Sequence, residues 1–150
     1  MTKRFENKVA LITGGNGGIG LGMAQALLQS GASVAIWGSN PDKTDKAVAG
    51  LSAHGKVRGY VCDVGDEAMV DDVFARTVAD MGSINACFAN AGVSSRPTPI
   101  AQMSAEEFRR VQRVNVDGVF HTFRAAARPE CSGHCQSPMP RPPPRCLQFF

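Results

Sequence analysis

Four short apolar runs alternate along the chain with four stretches in which apolar residues recur at helical spacing. The first run, residues 9–12, has the sequence VALI and no polar alternation, which is typical of a strand covered on both faces. Residues 33–37, 56–61 and 83–89 are predicted to form three further strands. Repeated strand–helix alternation predicts an α/β fold, a doubly wound parallel sheet with right-handed crossovers and strand order 3-2-1-4.

The stretches between these runs predict amphipathic helices. Asn40 is placed as an N-cap before Pro41, Ser104 and Glu107 have capping-box spacing, and Gly31 is placed to end the first helix. The expected inward faces of the four stretches are Ile19, Met23, Ala26, Leu27 and Ser30; Thr44, Ala47, Val48 and Leu51; Met69, Val73, Thr77 and Met81; and Phe108, Val111 and Val114, continued by Val116, Val119, Phe120, Phe123 and Ala127.

A glycine-rich turn joins the first predicted strand to the first predicted helix. Five glycines fall between Gly14 and Gly20, and they include a G-x-G-x-x-G pattern from Gly15 to Gly20. Glycine lets the backbone approach a pyrophosphate closely, and the free N–H groups of a helix's first turn point toward it. A strand, a glycine turn and a helix start in succession predict a phosphate cradle; the alternative is a glycine turn without a ligand.

The sequence from Thr13 to Gly20, T-G-x-x-x-G-I-G, resembles the first turn of short-chain dehydrogenases/reductases. The resemblance implies a Rossmann-like domain over residues 1–127 and hydride transfer between NADP or NAD and a carbonyl or alcohol substrate. It also implies a role in holding the pyrophosphate for Gly14, Asn16, Gly18, Ile19 and Gly20.

The end of the second predicted strand bears on the choice between NAD and NADP. An acid there would bind the ribose 2′-hydroxyl, and a basic residue would favour a 2′-phosphate. Gly38 is followed by Ser39 and Asn40, so this position has neither an acidic nor a basic residue. The side chains of Ser39 and Asn40 could both donate hydrogen bonds to a phosphate. We therefore lean slightly to NADP; the alternative is an ordinary turn before a helix.

Two further segments match the family's pattern. Asp63 and Val64 follow the third predicted strand, where the family places an aspartate on the adenine amino group. An ordinary acid at a helix entry is the alternative. The N-A-G turn of Asn90, Ala91 and Gly92 follows the fourth, and in the family this turn abuts the cofactor and braces the sheet.

Asn115 resembles the asparagine of the family's catalytic tetrad of Asn, Ser, Tyr and Lys. Asparagine is a poor helix former, so its place within an apolar helix face needs a reason. The resemblance implies that it holds a water of the proton relay. A local kink or a satisfied amide is the alternative.

The rest of the tetrad is missing from this sequence. The family's acid/base tyrosine has a lysine four residues later, because a nearby cation lowers the phenol's pKa from about 10. The one tyrosine, Tyr60, lies in a predicted strand and precedes Val64 by four residues, while Lys56 is the last lysine. We therefore expect a truncated chain without turnover, or a non-catalytic remnant that associates with full-length subunits.

Composition changes at Arg128. Residues 128–150 hold six of the nine prolines and three of the five cysteines. Proline disrupts both sheet ladders and helices, so we expect a disordered tail, out-of-frame or alternatively spliced, that leaves the fourth strand as an open edge. Cys131, His134, Cys135 and Cys146 lack the paired spacing of structural zinc sites, and no metal is expected.

Charge and hydropathy bound the remaining possibilities. The formal net charge of +3 over 150 residues is too small to indicate nucleic-acid binding. No apolar run approaches a membrane span and no signal sequence is visible, so we expect a cytoplasmic protein with no membrane partner. The expected partners are the dinucleotide, a small-molecule substrate in the intact parent, and further copies of the subunit.

Overall fold

A computed structural model describes residues 4–128 and 148–149 of the chain. Its elements are β1 (Val9–Thr13), α1 (Gly18–Gln29), β2 (Ser33–Gly38), α2 (Pro41–Leu51), β3 (Val57–Val61), α3 (Glu67–Met81), β4 (Ala86–Phe88), α4 (Ala105–Gln112), a π-helical turn (Arg113–Asp117), α5 (Gly118–Ala127) and β5 (Gln148–Phe149). Short 3₁₀ turns occupy Ser52–His54 and Ile100–Gln102.

The sheet is parallel, and its first four strands stand in the predicted order 3-2-1-4. β1 lies at the centre, where Leu11 pairs with Ala35 of β2 on one side and Cys87 of β4 on the other. Because β2, β1 and β4 pair in parallel, their carboxyl ends lie at one edge of the sheet, and the strand order reverses there between β1 and β4. That edge is where a doubly wound sheet binds its ligand.

The sequence predicts an open outer edge for β4, but part of this edge is paired. β5 pairs with β4 in parallel, Gln148 with Ala86 and Phe149 with Cys87, and so extends the order to 3-2-1-4-5. The expectation that the tail cannot supply a strand is wrong for these two residues. They follow the last proline of the chain by four residues, so proline does not interrupt their pairing.

Two hydrophobic clusters cover the two faces of the sheet, as a doubly wound fold requires. Leu11, Trp37 and Phe74 belong to the cluster under α3 and α5, and Ile12 and Leu28 belong to the one under α1 and α2. The clusters draw on alternate residues of β1, because successive side chains of a strand point to opposite faces. This two-sided burial explains why residues 9–12 show no polar alternation.

The fully buried face of α1 lies about one residue away from the predicted one, although the predicted Met23 and Leu27 are partly buried against the cluster under α1 and α2. The buried positions are Gly20, Ala24 and Leu28, whereas Ile19 is 79% exposed. The small residues Gly20 and Ala24 let the helix lie close to the sheet. The face that carries them is therefore buried in preference to the face with the larger side chains. In α3, Val73 is buried as expected.

Four larger apolar residues predicted to face inward are also exposed: Met69 of α3 (38%), Phe108 of α4 (52%), Val116 of the π-helical turn (55%) and Phe120 of α5 (59%). The sulfur of Met69 instead accepts a hydrogen bond from the Asp63 amide. α4 begins as predicted, with the Ser104 hydroxyl accepting from the Glu107 amide at 3.1 Å, but none of its residues is buried. The Glu107 carboxylate does not complete the capping box; it accepts from Arg96 N and Arg110.

No helix of the described chain is long and apolar enough to cross a membrane.

Candidate dinucleotide-binding site

The glycine turn between β1 and α1 is built by close contacts that a side chain would prevent. Gly14 has φ +65°, and a Cβ there would lie 2.9 Å from the Cα of Ala91. A Cβ on Gly20 would overlap the carbonyl oxygen of Gly14 and lie 2.6 Å from the side-chain nitrogen of Asn90. The turn is therefore drawn tightly against the end of β4.

The same turn is open on its other side. Gly18, the first residue of α1, has φ +52°, and a Cβ built on it would meet no atom within 4 Å. Gly17, the N-cap, supplies no side-chain cap, and the first-turn N–H groups of α1 have no intrahelical partner and no side-chain partner among residues 4–128. Open space at Gly18, next to first-turn N–H groups without intrahelical partners, fits an anionic pyrophosphate. The exposed Ile19 side chain adds an apolar surface beside it.

Asn90 and Thr13 tie the carboxyl ends of β4 and β1 together. The Asn90 amide donates to the carbonyl oxygens of Thr13 at 3.0 Å and Gly14 at 3.4 Å. The Ala91 N–H donates to the hydroxyl of Thr13, which is buried, at 3.0 Å. Asn90 and Ala91 thus brace the turn, as the N-A-G resemblance implies. Thr13 shares this task, although only its place in the glycine motif marks it in the sequence.

Asn16 links the turn to the start of α2. Its side-chain nitrogen donates to the Thr44 hydroxyl at 3.0 Å, and that hydroxyl donates to the Asn40 carbonyl at 2.8 Å. The side-chain oxygen of Asn40 accepts from the Lys43 amide at 2.8 Å, which confirms the predicted N-cap. That oxygen is occupied, and the Asn40 amide nitrogen is the group left for donation to a ribose or phosphate. Ser39 is exposed beside it.

Asp63 and Val64 follow β3, as predicted. One carboxylate oxygen of Asp63 accepts from the Gly65 amide at 2.9 Å, and the other forms an ion pair with Arg113 at 2.9 Å. Val64 is buried, and its carbonyl lies 3.0 Å from Nδ1 of His121. The sequence around Asp63 does not predict its pairing with Arg113, because the two residues are brought together only by the fold.

Asn115 lies in the π-helical turn between α4 and α5. Its side-chain oxygen accepts from the Val93 amide at 2.8 Å, and its nitrogen donates to the Val93 carbonyl at 2.9 Å. Both features raised as alternatives, an irregular helix and a satisfied amide, are present. Gly92 lies alongside, since a Cβ on it would be 3.5 Å from the Asn115 oxygen. Asn115 therefore anchors the loop that leaves the N-A-G turn.

The buried tyrosine and cysteines of the sheet region have pKa values too high for proton transfer near neutral pH. Burial and the hydrogen bond from its hydroxyl to Asp80 at 3.0 Å raise the pKa of Tyr60 to about 12. Burial raises the pKa of Cys62 and of Cys87 to about 12 as well. Residues 4–128 and 148–149 contain no group of three metal-ligating side chains, and the Cys131, His134, Cys135 and Cys146 set lies outside them.

Residues 8–133 match the family model described as short chain dehydrogenase. The chain is 38% identical over 127 residues to 2,3-dihydro-2,3-dihydroxybenzoate dehydrogenase of Bacillus subtilis, covering 84% of this chain and 48% of that protein. It is 35% identical over 124 residues to the NADP-dependent (R)-specific alcohol dehydrogenase of Lentilactobacillus kefiri, covering 83% and 49%.

Solved structures share this fold over most of the chain. NAD⁺-bound xylitol dehydrogenase superposes with a TM-score of 0.80 and 36% identity, over 83% of this chain and 48% of that one. A short-chain type dehydrogenase/reductase from Mycobacterium marinum has a TM-score of 0.79 at 33% identity, over 84% and 51%. The chain spans about half the length of the relatives it matches.

Proposed function

Because the chain belongs to the short-chain dehydrogenase/reductase family, we propose that residues 1–127 bind NADP or NAD at the turn from Gly14 to Gly20. One observation carries the proposal: the turn is packed tightly against Asn90 and Ala91 on one side and open at Gly18 on the other. A purely structural glycine turn has no need of open space before unsatisfied helix amides. A phosphate fills such a space with hydrogen bonds and a favourable helix dipole.

The proposed roles follow the order of the site along the sheet edge. Gly14, Asn16, Gly18, Ile19 and Gly20 hold the pyrophosphate side. The remaining assignments are Ser39 and Asn40 for the adenosine ribose, Asp63 and Val64 for adenine, and Asn90, Ala91 and Gly92 for the ribose next to nicotinamide. When bound, the cofactor supplies or accepts the hydride, and the protein contributes position and electrostatics.

The parent reaction proposed from the family is hydride transfer to or from a carbonyl or alcohol carbon of a small molecule. A chain of this sequence lacks the proton donor for it, since it contains no Tyr-x-x-x-Lys. Tyr60 cannot substitute, because its hydroxyl donates to Asp80 and its pKa of about 12 is shifted away from neutrality. Asn115 is the one proposed tetrad member present, and an amide does not donate a proton as a general acid. We therefore propose binding without measurable turnover.

Calorimetric titration of NADPH and NADH tests the binding proposal with two matched variants. Gly18→Val fills the open space and imposes a branched side chain on φ +52°, so saturable binding should be lost. Gly22→Ala, four residues along α1, adds a methyl that meets no atom within 4 Å and should leave binding unchanged. If Gly18→Val binds as the unmodified chain does, the site lies elsewhere.

A second candidate function is non-catalytic association with full-length subunits. The observation that favours it is the exposure of large apolar side chains around the π-helical turn, Phe108 at 52%, Val116 at 55% and Phe120 at 59%. Isolated apolar residues are common on surfaces, but a group on consecutive helical segments is typical of an interface. Co-expression with a full-length relative, followed by light scattering, would detect mixed oligomers. Phe120→Glu should abolish them, and their persistence would argue against this surface.

A further inference from the structure

The side chain of Lys43 reaches from α2 to the glycine turn. A Cβ built on Gly17 would lie 2.7 Å from the Lys43 Nζ and 2.9 Å from its Cε, so the amine rests against the residue that caps α1. Lys43 is the third residue of α2, and its own amide is held by the Asn40 cap. The amine thus lies beside the first turn of α1 while its backbone belongs to the first turn of α2.

This position is electrostatically unfavourable for an isolated cation. The N-termini of both α1 and α2 carry the positive end of a helix dipole, which repels an ammonium group. Within residues 4–128, no carboxylate forms an ion pair with Lys43. Asp42 precedes it in the first turn of α2 without pairing with it. A cation between two positive helix ends, with no anion of the described chain beside it, is arranged for an anionic ligand.

The neighbourhood indicates which anion. In a doubly wound sheet the adenosine ribose lies at the end of β2, and Gly38, Ser39 and Asn40 place no carboxylate there to repel a phosphate. Lys43 follows that end by five residues. The pyrophosphate has its own open approach at Gly18, whereas the space before Gly17 is occupied by the Lys43 amine.

We propose that Lys43 binds the 2′-phosphate of NADP and so makes this chain prefer NADP to NAD. The inference rests on the proposed function, since it requires a dinucleotide in the Gly14–Gly20 turn. The residue is a specificity determinant that the sequence alone conceals, because it lies beyond the strand end where such charges are sought. Its amine reaches the ribose side only because Gly17 has no side chain.

Calorimetric affinities for NADP, NAD, 2′,5′-ADP and 5′-ADP test this in the unmodified chain and in three variants. Lys43→Ala should weaken binding of NADP and 2′,5′-ADP about tenfold or more, the scale of a charge-assisted hydrogen bond to phosphate, and change NAD and 5′-ADP less than about twofold. Lys43→Arg should retain the preference. Lys46→Ala removes an exposed cation of the same helix and should change no affinity.

Two results would overturn the inference while leaving the proposed function intact. Equal weakening of NADP and NAD by Lys43→Ala would mean that the amine contacts the pyrophosphate instead. Unchanged NADP affinity in Lys43→Ala, or tighter binding of NAD than NADP by the unmodified chain, would mean that Lys43 does not set the preference. Absence of binding by all four ligands to the unmodified, folded chain would instead overturn the proposed function itself.

Discussion

The side-chain amide of Asn115 makes two hydrogen bonds to the backbone of Val93, accepting from the N–H at 2.8 Å and donating to the carbonyl at 2.9 Å. This pair joins the π-helical turn to the loop after Gly92, at the end of β4 where the nicotinamide side of the cofactor is proposed. π-Helical turns are rare and concentrate at functional sites. Here the turn aims one amide at one backbone position, which gives its irregularity a structural purpose.

Asn115→Ala should loosen this loop more than it destabilises the domain. Two hydrogen bonds of a solvent-exposed side chain contribute about 1 kcal/mol each at most, so the free energy of unfolding should fall by about 1–2 kcal/mol. Hydrogen exchange at the Val93 amide should accelerate. Asn115→Asp is the matched control, because its carboxylate can still accept from the amide but cannot donate to the carbonyl. Unchanged exchange at Val93 in the alanine variant would contradict the role assigned to this pair.

Gly20→Ala and Gly22→Ala should have opposite effects on stability. A methyl on Gly20 overlaps the Gly14 carbonyl, a backbone atom that cannot move aside cheaply, so we expect a loss of about 2 kcal/mol or more. A methyl on Gly22 meets nothing within 4 Å, and replacing glycine by alanine within a helix stabilises by up to about 1 kcal/mol. Thermal unfolding of both variants is the measurement. Equal melting temperatures would contradict the tight packing of the turn.

The Tyr60 phenol should ionise at a higher pH than a free tyrosine. It is the one tyrosine of the chain, so no other phenol contributes to the signal. Burial and its hydrogen bond to Asp80 raise its pKa to about 12 in the folded chain, against about 10 when unfolded. The protonated phenol is therefore favoured by folding, and this stabilisation is fully present below about pH 10 and lost as the pH rises toward 12. Ultraviolet absorbance should show ionisation well above pH 10. Asp80→Asn should lower the midpoint, and a midpoint near 10 in the unmodified chain would contradict this environment.

The central strands and the glycine turn were predictable because their signals are local. An uninterrupted apolar run identifies β1, and the strand, glycine turn and helix start follow one another within residues 9–20. The Asn40 cap and the start of α4 at Ser104 were readable for the same reason. The approximate periodicity of α1 was also visible, but which of two adjacent faces is buried depends on how closely the helix approaches the sheet.

Contacts between distant parts of the chain could not be read from the sequence. Arg113 pairs with Asp63 across 50 positions, and Lys43 reaches Gly17 only because α1 and α2 start side by side. The two-residue strand β5 follows a proline-rich stretch that favours no regular structure, and its pairing depends on the exposed edge of β4. Such features follow from the assembled sheet, in which residues remote in sequence share one edge.

We expect a sample that binds the cofactor to show no turnover. The Tyr60 hydroxyl donates to Asp80, and the sequence contains no Tyr-x-x-x-Lys, so we expect it to lack the family's proton donor for carbonyl reduction. Loss of a positioned proton donor alone costs about 10²–10⁴-fold. NADPH absorbance should therefore stay constant when aldehydes, ketones or sugars are added. A decay that depends on substrate and on protein concentration would overturn the assignment of a non-catalytic chain.

One calorimetric titration of NADPH into the unmodified chain tests the dinucleotide site, after circular dichroism has shown that the chain is folded. The glycine turn, the open space at Gly18 and the bracing by Asn90 predict saturable binding at a single site. A folded chain that produces no saturable heat with NADPH or with NADH would show that this turn does not bind a dinucleotide.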